Sequence, residues 1–350
     1  MIKFLTIIKG VLMKTITKVF AVFLVLLFVQ PVFSAGNAES KSPKDDSVKV
    51  FKLANDNLAD LPVGIGLTRL AEEVEKRSNG KMKIEIYFNA QLGQEPEVLD
   101  NILLGSIDMM KANAGNMAGH VQSLNAFTIP FIFADEDHAW RVFNGPVGDI
   151  VKRDAEKTGY KILTFFEEGA RSICSRKGFV STPDDMLGLK IRIMGAPSIQ
   201  DGFKQLKSSP TPMAYGEVYT GLSQGVIDAA ENPLSAIEGQ KFYEVAPYVT
   251  ETEHLRIPAV ILIGMKQWNS LTEAEQQIFM DSADAAREFQ RPEAVKLEKA
   301  SIDQIVAKGG KFKPLTAEER SAFAEQMAPV YEKYKSILGA EVIDGILNAR

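Results

Sequence analysis

Arg192 has both the type and the position needed to bind a small carboxylate. Ile191 and Ile193 alternate with Lys190 and Arg192, which predicts a strand with an apolar face and with Arg192 on the other face, near the carboxyl end. Ligands of open α/β sheets bind at that end of the strands. A guanidinium group matches a carboxylate with two parallel hydrogen bonds and stays charged when desolvated. The pattern alone favours a solvated arginine on a strand face, because most arginines are exposed.

Three further residues near Arg192 are candidates, each with a structural alternative. Arg171 lies 21 residues earlier and directly follows Glu167-Glu168-Gly169-Ala170, so an ordinary ion pair with Glu167 or Glu168 also explains it. Val226–Ala230 is predicted as a strand that ends at Glu231-Asn232-Pro233, which places Asn232 at a strand end, although Asn-Pro is also a common turn signal. Tyr215 is explained equally well by core packing.

The elements before this region alternate in type. Strand patterns at 48–55, 81–88 and 107–112 are separated by helical patterns, the second of which runs from Pro96 to Leu104. The β-α-β-α-β order predicts a parallel sheet with helices on its faces. Polar residues then converge at the carboxyl edge of this sheet, and they are Asn55, Glu95, Lys111 and Asn113.

The remaining elements predict a second sheet and a brace. Tyr160 to Phe166 is predicted as the strand before the first crossing between sheets, and Leu255 to Met265 as the return. Thr272 and Glu275 form a capping box before a helical pattern that runs to Lys308, and Pro292 should kink that helix. Two sheets joined by several crossings and a long helix form a hinge architecture of the α/β class.

The middle third of the chain closely resembles the solute-binding proteins of tripartite ATP-independent periplasmic (TRAP) transporters. The resemblance is carried by LGLKIRIM at 187–194, SPTPMAYGEVYTGL at 209–222 and GVIDAAENPLSAIEGQKFYEV at 225–245, and it extends from about Val48 onward. It implies that Arg192 clamps the carboxylate of a solute and that Arg171 and Asn232 reach the same solute. It also implies that Tyr215 covers the solute and that His254 occupies a position where the family can place a cleft histidine.

The resemblance further implies a two-lobed periplasmic solute-binding fold. Lobe 1 is expected to comprise residues 48–168 plus 258–297, and lobe 2 residues 169–257 plus 298–350. The crossing strands would form the hinge, and the long helix would brace both lobes.

The first 35 residues have the order of a secretory signal peptide. Lys14 and Lys18 precede an apolar run from Val19 to Val29, and Phe33-Ser34-Ala35-Gly36 supplies small residues for cleavage. The run is shorter than the ~20 residues that a membrane-spanning helix needs. Residues 36–47 are polar and are predicted to be a disordered mature N-terminus. The mature protein is therefore expected in the periplasm.

Composition excludes several classes of protein. Net charge is −5 over 350 residues, with 45% hydrophobic and 24% charged residues, so no basic surface indicates nucleic acid. The single cysteine, Cys174, cannot form an intramolecular disulfide and is predicted to be a buried thiol. The histidines His120, His138 and His254 lack the spacing of metal ligands. No metal and no cofactor is expected.

Catalytic motifs are also rejected. Gly221-Leu222-Ser223-Gln224-Gly225 matches the G-x-S-x-G string of hydrolases, but it ends a predicted helix, whereas a nucleophile elbow lies between a strand and a helix. Glu167 and Glu168 alternate across a strand end and cannot both face one substrate. The chain is therefore not expected to be an enzyme.

The candidate binding residues, together with the resemblance to TRAP solute-binding proteins, predict a receptor that delivers a small organic acid to a TRAP membrane permease. Glu95, Lys111 and Asn113 favour a hydroxylated acid such as a uronate or aldonate over a C4-dicarboxylate, which is the close alternative. A ligand-binding receptor for a membrane sensor is a different function for the same architecture, and neighbouring permease genes would separate the two. A secreted hydrolase is a remote third possibility that an esterase assay would test.

Overall fold

A computed structural model describes residues 47–349 of the chain. The predicted signal peptide and nearly all of the predicted disordered segment lie outside the described residues. The strands are β1 Lys49–Ala54, β2 Met82–Tyr87, β3 Met109–Asn113, β4 Tyr160–Phe166, β5 Arg171–Ser175, β6 Lys190–Ile193, β7 Ser209–Pro212, β8 Ala229–Pro233, β9 Tyr248–Leu255, β10 Ala259–Gly264 and β11 Lys311–Pro314. The α-helices are α1 Pro62–Arg77, α2 Glu95–Leu104, α3 Ala114–Met117, α4 Glu136–Phe143, α5 Pro146–Lys157, α6 Pro197–Gln205, α7 Val218–Gln224, α8 Leu234–Gly239, α9 Phe242–Val245, α10 Met265–Trp268, α11 Glu273–Ala307, α12 Ala317–Glu325, α13 Ala328–Leu338 and α14 Ala340–Asn348. In the part of the chain so described, no helix combines the length and the apolar character needed to cross a membrane.

The first sheet has the strand order β2-β1-β3-β10-β4. β1 pairs in parallel with β2 and β3, as the alternating order of strands and helices predicts, whereas β10 enters antiparallel between β3 and β4. All six residues of β10 are buried, which matches its uninterrupted apolar sequence. The carboxyl ends of β1, β3 and β4 therefore lie at one edge of this sheet.

The second sheet has the strand order β11-β9-β5-β8-β6-β7. β6 pairs in parallel with β7 and β8, and β5 runs antiparallel to β8. Ile191 and Ile193 are fully buried, and so is Cys174, as predicted. The carboxyl ends of β6 and β8 carry Arg192 and Asn232 to the same edge.

Several sequence-based boundaries were wrong in this half of the chain. The strand predicted at Val226–Ala230 begins at Ala229 and includes Asn232 and Pro233, because Val226 is more than half exposed and lies in the loop after α7. The strand predicted at Leu255 to Met265 begins only at Ala259, as β10, and Leu255 is instead the last residue of β9. Polar residues alternate along β9, so the apolar run that follows it dominated the prediction.

The connections between the sheets are held by the long helix α11. The predicted capping box is present, since the Glu275 amide donates to Thr272 and the Thr272 amide donates to Glu275. The Gln290 side chain donates to the Glu167 carbonyl at 2.6 Å and accepts from the Glu167 amide at 2.9 Å. Gly169 follows with a φ of +91°, where a Cβ would lie 2.8 Å from the Glu298 carboxyl carbon. Both side chains therefore fix the crossing from β4 to β5. The predicted lobe boundaries stay a prediction.

Candidate functional site

A cavity lies where the carboxyl ends of strands from both sheets meet. It comprises about 490 Å³ of space between the protein atoms, part of it open to solvent. Its polar lining residues are Asp56, Asn57, Glu95, Lys111, Asn113, Asn116, Glu168, Arg171, Arg192, Tyr215, Asn232 and Ser235. Most of the residues singled out in the sequence therefore share one cavity.

Arg192 is buried and its charge is not compensated by an ion pair. The residue is 1% exposed, its Nε donates to the Met213 carbonyl at 2.9 Å, and its two terminal nitrogens make no hydrogen bond to any described residue. Burial lowers the pKa of Arg192 and the neighbouring Arg171 lowers it further, while Glu231 offsets only part of the decrease. None of the described carboxylates lies within ion-pair distance of Arg192. Buried charges in proteins are ordinarily paired. The free nitrogens of Arg192 therefore mark a position for an anion.

Arg171, unlike Arg192, has a carboxylate partner. Its Nη2 donates to the Glu231 carbonyl at 2.7 Å and to Asn232 Oδ1 at 3.1 Å, and its Nε forms a short ion pair with the Glu231 carboxylate. Burial alone would raise the pKa of Glu231, but Arg171 and the nearby His254 lower it to about 2. The partner is neither Glu167 nor Glu168, the two expected from proximity in sequence, because β5 pairs with β8 and brings Glu231 alongside.

Two uncharged groups at the Arg192 end also lack partners. Among the described residues, the buried Asn232 Nδ2 and the buried Tyr215 hydroxyl make no hydrogen bond, and both residues line the cavity. Asn232 Oδ1 is occupied by Arg171, so the amide is fixed with its NH2 group left free. A carboxylate between these groups and Arg192 would supply the missing acceptors.

The opposite end of the cavity is dominated by carboxylates. Lys111 Nζ lies 2.8 Å from Glu95, 3.1 Å from Asp56 and 3.2 Å from Glu168, and all four residues are buried. Burial would lower the pKa of Lys111, but the three carboxylates raise it, so the ammonium stays charged. One cation therefore serves three carboxylates, and this end carries excess negative charge.

The carboxylates of this cluster differ in how well they are paired. Burial and the neighbouring Glu95 raise the pKa of Asp56 to about 7. Burial also acts on Glu95, but Lys111 and hydrogen bonds from Asn116 and the Asn113 amide lower its pKa. Asp56 therefore exchanges its proton near neutral pH, while Glu95 stays ionised.

The first-sheet candidates fall partly at the cavity and partly behind it. Lys111, Glu95 and Asn113 line it, although Lys111 and Glu95 are already paired with each other. Asn55 is buried but bonds to Asn57 and does not line the cavity. The lining position is the next residue, Asp56.

His254 lies in β9 of the second sheet and does not line this cavity. Its Nδ1 is 2.6 Å from Thr252 Oγ1, and its Nε2 is 3.6 Å from Glu231. Burial lowers the pKa of His254, so the ring is neutral at neutral pH. His254 therefore contacts the carboxylate that holds Arg171, and it reaches the cavity only through that carboxylate.

Sequence reasoning missed Asp56, Glu168 and Asn116 as lining residues. Asp56 follows β1 directly, so the strand-end rule located it to within one residue. Glu168 was considered only as a possible ion-pair partner of Arg171 and as one of an alternating pair with Glu167. That alternation is present, because Glu168 lines this cavity and Glu167 does not. Asn116 had no signal, because α3 is a single turn that no periodicity predicts.

Hydrogen bonds join the two sides of the cavity at its rim. The Gly216 amide donates to Gln94 Oε1 and the Gly195 amide donates to Asn116 Oδ1, each at 3.4 Å. Deeper inside, Asn113 donates to Glu168 in a short contact. These contacts close the cavity around its polar lining.

The rejected catalytic and metal motifs have a structural explanation. Ser223 is exposed near the end of α7, and Gly225 caps that helix with a φ of +75°, so no strand-to-helix elbow is formed. Within residues 47–349, no group of histidine, cysteine, aspartate or glutamate side chains is arranged to hold a metal ion.

Comparison with known proteins gives matches along most of the chain. The model of a family described as bacterial extracellular solute-binding protein, family 7, matches residues 54–337. A protein of Chromohalobacter salexigens described as a solute-binding protein is 33% identical over 273 residues, which cover 78% of this chain and 81% of the relative. A C4-dicarboxylate-binding periplasmic protein of Rhodobacter capsulatus is 31% identical over 302 residues, covering 85% of this chain and 90% of the relative.

A solved structure of similar sequence identity has the same fold. The crystal structure of a TRAP periplasmic solute binding protein from Chromohalobacter salexigens with bound D-glucuronate has a TM-score of 0.82 and 31% identity. It covers 86% of this chain and 100% of that chain. The predicted two-sheet α/β fold with a long helix is confirmed. The glucuronate-bound protein and the dicarboxylate-binding protein are each 31% identical to this chain, so overall identity favours neither solute.

Proposed function

Because the chain belongs to family 7 of the bacterial extracellular solute-binding proteins, which are TRAP solute receptors and not enzymes, we propose that it captures a sugar acid such as a uronate or aldonate. The carboxylate binds to Arg192, and Asn232 and Tyr215 donate to it. The observation that carries this assignment is the buried Arg192, whose two terminal nitrogens have no hydrogen-bond partner in the described part of the chain.

Charge at the far end of the cavity favours a hydroxylated acid. A hydroxyl group can donate to Asp56 or Glu168, whereas a second carboxylate would meet a cluster in which three carboxylates share one cation. At a separation of about 8 Å and an effective dielectric constant near 20, one unit charge contributes about 2 kcal/mol. Lys111 would favour the dicarboxylate alternative by supplying a second cation, but its ammonium is already paired with Asp56, Glu95 and Glu168.

The receptor would then deliver its solute to a membrane permease from outside the cytoplasm. Binding of the solute favours the closed arrangement of the two sides of the cavity, and the permease recognises that arrangement. Membership of the family supports export and the permease partner, and the charge of the cavity lining supports the sugar-acid class.

A calorimetric panel tests the solute class. D-galactonate and D-glucuronate represent sugar acids, and succinate represents C4-dicarboxylates. We expect at least one sugar acid to bind about tenfold or more tightly than succinate, because only the hydroxylated acids donate to the carboxylate end. Succinate binding as tightly as the best sugar acid would refute the assignment in favour of the dicarboxylate receptor.

Asp56→Asn should relax the discrimination against succinate. Asp56 has a pKa raised to about 7, so it is largely protonated at pH 6 and ionised at pH 8. Binding of succinate to the unmodified protein should therefore weaken from pH 6 to pH 8, by a factor of about ten if the charge contributes about 1 to 2 kcal/mol. The asparagine variant should lose this pH dependence and bind succinate better at pH 8. An unchanged pH profile in the variant would show that Asp56 is not the titrating group.

A further inference from the structure

A second cavity lies on the opposite side of the connections between the sheets. It encloses about 680 Å³ of empty space, part of it open to solvent, and shares no lining residue with the first cavity. All three connections between the sheets contribute to it: Gly169 and Ala170 before β5, Glu251 to Arg256 around the end of β9, and Ala294 to Ile302 of α11. We name it the hinge cavity.

The charged lining of the hinge cavity is mainly acidic. Its glutamates are Glu136, Glu167, Glu251, Glu253 and Glu298, against the cations Arg256 and Lys299. Glu136 pairs with Arg291 at 3.2 Å and Glu253 pairs with Arg256 at 3.0 Å. The other three glutamates have no ion-pair partner among the described residues.

Two of those three carboxylates, Glu298 and Glu167, are held in place without a cation. Glu298 accepts from the Leu234 and Ser235 amides at 2.7 and 3.1 Å, and Glu167 accepts from Trp140 Nε1 at 2.7 Å and from the Gly169 amide at 2.8 Å. Burial and the neighbouring Glu253 raise the pKa of Glu251. Uncharged donors therefore orient Glu167 and Glu298 but leave their charge uncompensated.

An independent feature of the same cavity is an unused hydroxyl group. Ser172 lines the cavity, is 0% exposed, and its Oγ has no hydrogen-bond partner within residues 47–349. Strand β5 turns Arg171 towards the first cavity and Ser172 towards the hinge cavity, so the two cavities receive alternate residues of one strand. A buried hydroxyl without a partner indicates a missing ligand atom or water.

We propose that the hinge cavity binds an aliphatic amine, with its ammonium group among Glu298, Glu251 and the Ser172 hydroxyl. No described cluster is arranged to hold a metal ion, so a cation with several N–H donors and an apolar body fits better. Leu234, Val295 and Ile302 supply an aliphatic wall for the methylene groups of such a ligand. The proposal mirrors the first cavity, where a buried cation lacks an anion.

The pH dependence of amine binding follows from Glu298. Burial raises the pKa of Glu298 to about 7, and Glu167 contributes to the increase. The carboxyl group is therefore largely neutral at pH 6 and ionised at pH 8. An ammonium ligand should bind more tightly at pH 8 than at pH 6, and this difference should disappear in Glu298→Gln.

Titration calorimetry with 1,4-diaminobutane tests the site on the purified protein. We expect saturable binding of one amine per chain, with the dissociation constant raised about tenfold or more in both Glu298→Gln and Glu251→Gln. Ser172→Ala should weaken amine binding while leaving the unfolding midpoint unchanged, because the hydroxyl has no partner to lose. The matched control is Glu293→Gln, on the same helix but outside the cavity and paired with Lys296 at 3.7 Å.

Two results would overturn the proposal. One is the absence of saturable binding by the unmodified protein at pH 8. The other is equal binding by Glu293→Gln and Glu298→Gln, which would mean attraction to general surface charge. Acid binding measured on the same samples reports on the first cavity separately, so failure of one site does not imply failure of the other.

Discussion

Replacing Arg192 with methionine should abolish most of the solute affinity without destabilising the ligand-free protein. Truncating one partner of a buried, hydrogen-bonded charge pair costs about 2–5 kcal/mol, a loss of about 30- to 5,000-fold in affinity. In the ligand-free protein, however, Arg192 has no ion pair with any described residue, and its one hydrogen bond among them, to the Met213 carbonyl, contributes about 1.5–3 kcal/mol, as is usual for a charged donor. Removing a desolvated charge that lacks a partner offsets that loss. Calorimetry of the solute and urea unfolding of the free protein measure the two effects.

Arg171 provides the matched control for this experiment. It is the same residue type, is similarly buried and lines the same cavity, but it is paired with Glu231. Arg171→Met would leave the Glu231 carboxylate buried without its cation, which should cost about 3–5 kcal/mol of unfolding free energy. Equal destabilisation by the two substitutions would contradict the distinction between a paired and an unpaired arginine. Arg192→Lys should also lose affinity, because one ammonium group cannot form two parallel hydrogen bonds.

Lys111→Met should destabilise the protein by about 3–5 kcal/mol, because among the described residues it removes the only cation within ion-pair distance of three buried carboxylates. Without Lys111, burial should hold the folded-state pKa values of Asp56 and Glu95 above their unfolded values, which are near 4. The carboxyl groups then ionise at lower pH in the unfolded state than in the folded state. The loss of unfolding free energy therefore grows as the pH rises above about 4. Urea unfolding should therefore show a larger deficit at pH 8 than at pH 5.

Lys157→Met is the control for Lys111. Lys157 pairs with Asp154 at 2.8 Å, but its side chain is 74% exposed, so its loss should change the unfolding free energy by no more than about 0.5 kcal/mol. If Lys111→Met were equally mild, the three carboxylates would have to be neutral or hydrated, and the negative end of the cavity would not exist. The preference for a hydroxylated acid would then lose its physical basis.

Local patterns predicted the elements better than they predicted the contacts. Tyr160 to Phe166, the capping box at Thr272 and the apolar face of Ile191 and Ile193 follow from short-range spacing, and each is present. β9 was missed because its alternating polar residues precede a stronger apolar run. The start of β8 was misplaced because Val226 extends the apolar pattern without being buried.

Site residues were predictable where a strand end positioned them. Arg192, Lys111 and Asn232 all lie at the edge that the alternation of strands and helices predicts. What the sequence could not provide was pairing: Glu231 lies 60 residues from Arg171, and Asp56 lies 55 residues from Lys111. Whether a buried arginine has a carboxylate partner depends on such long-range neighbours. Arg171 has one in Glu231, and Arg192 has none among the described residues.

A crystal structure of the complex with the tightest-binding acid of the panel tests the central claim most directly. We expect the carboxylate of the solute at hydrogen-bond distance from both terminal nitrogens of Arg192, within reach of Asn232 Nδ2 and the Tyr215 hydroxyl. Its hydroxyl groups should lie towards Asp56 and Glu168. A solute bound in the reverse direction, with its carboxylate beside Lys111 and with Arg192 still unpaired, would contradict the account.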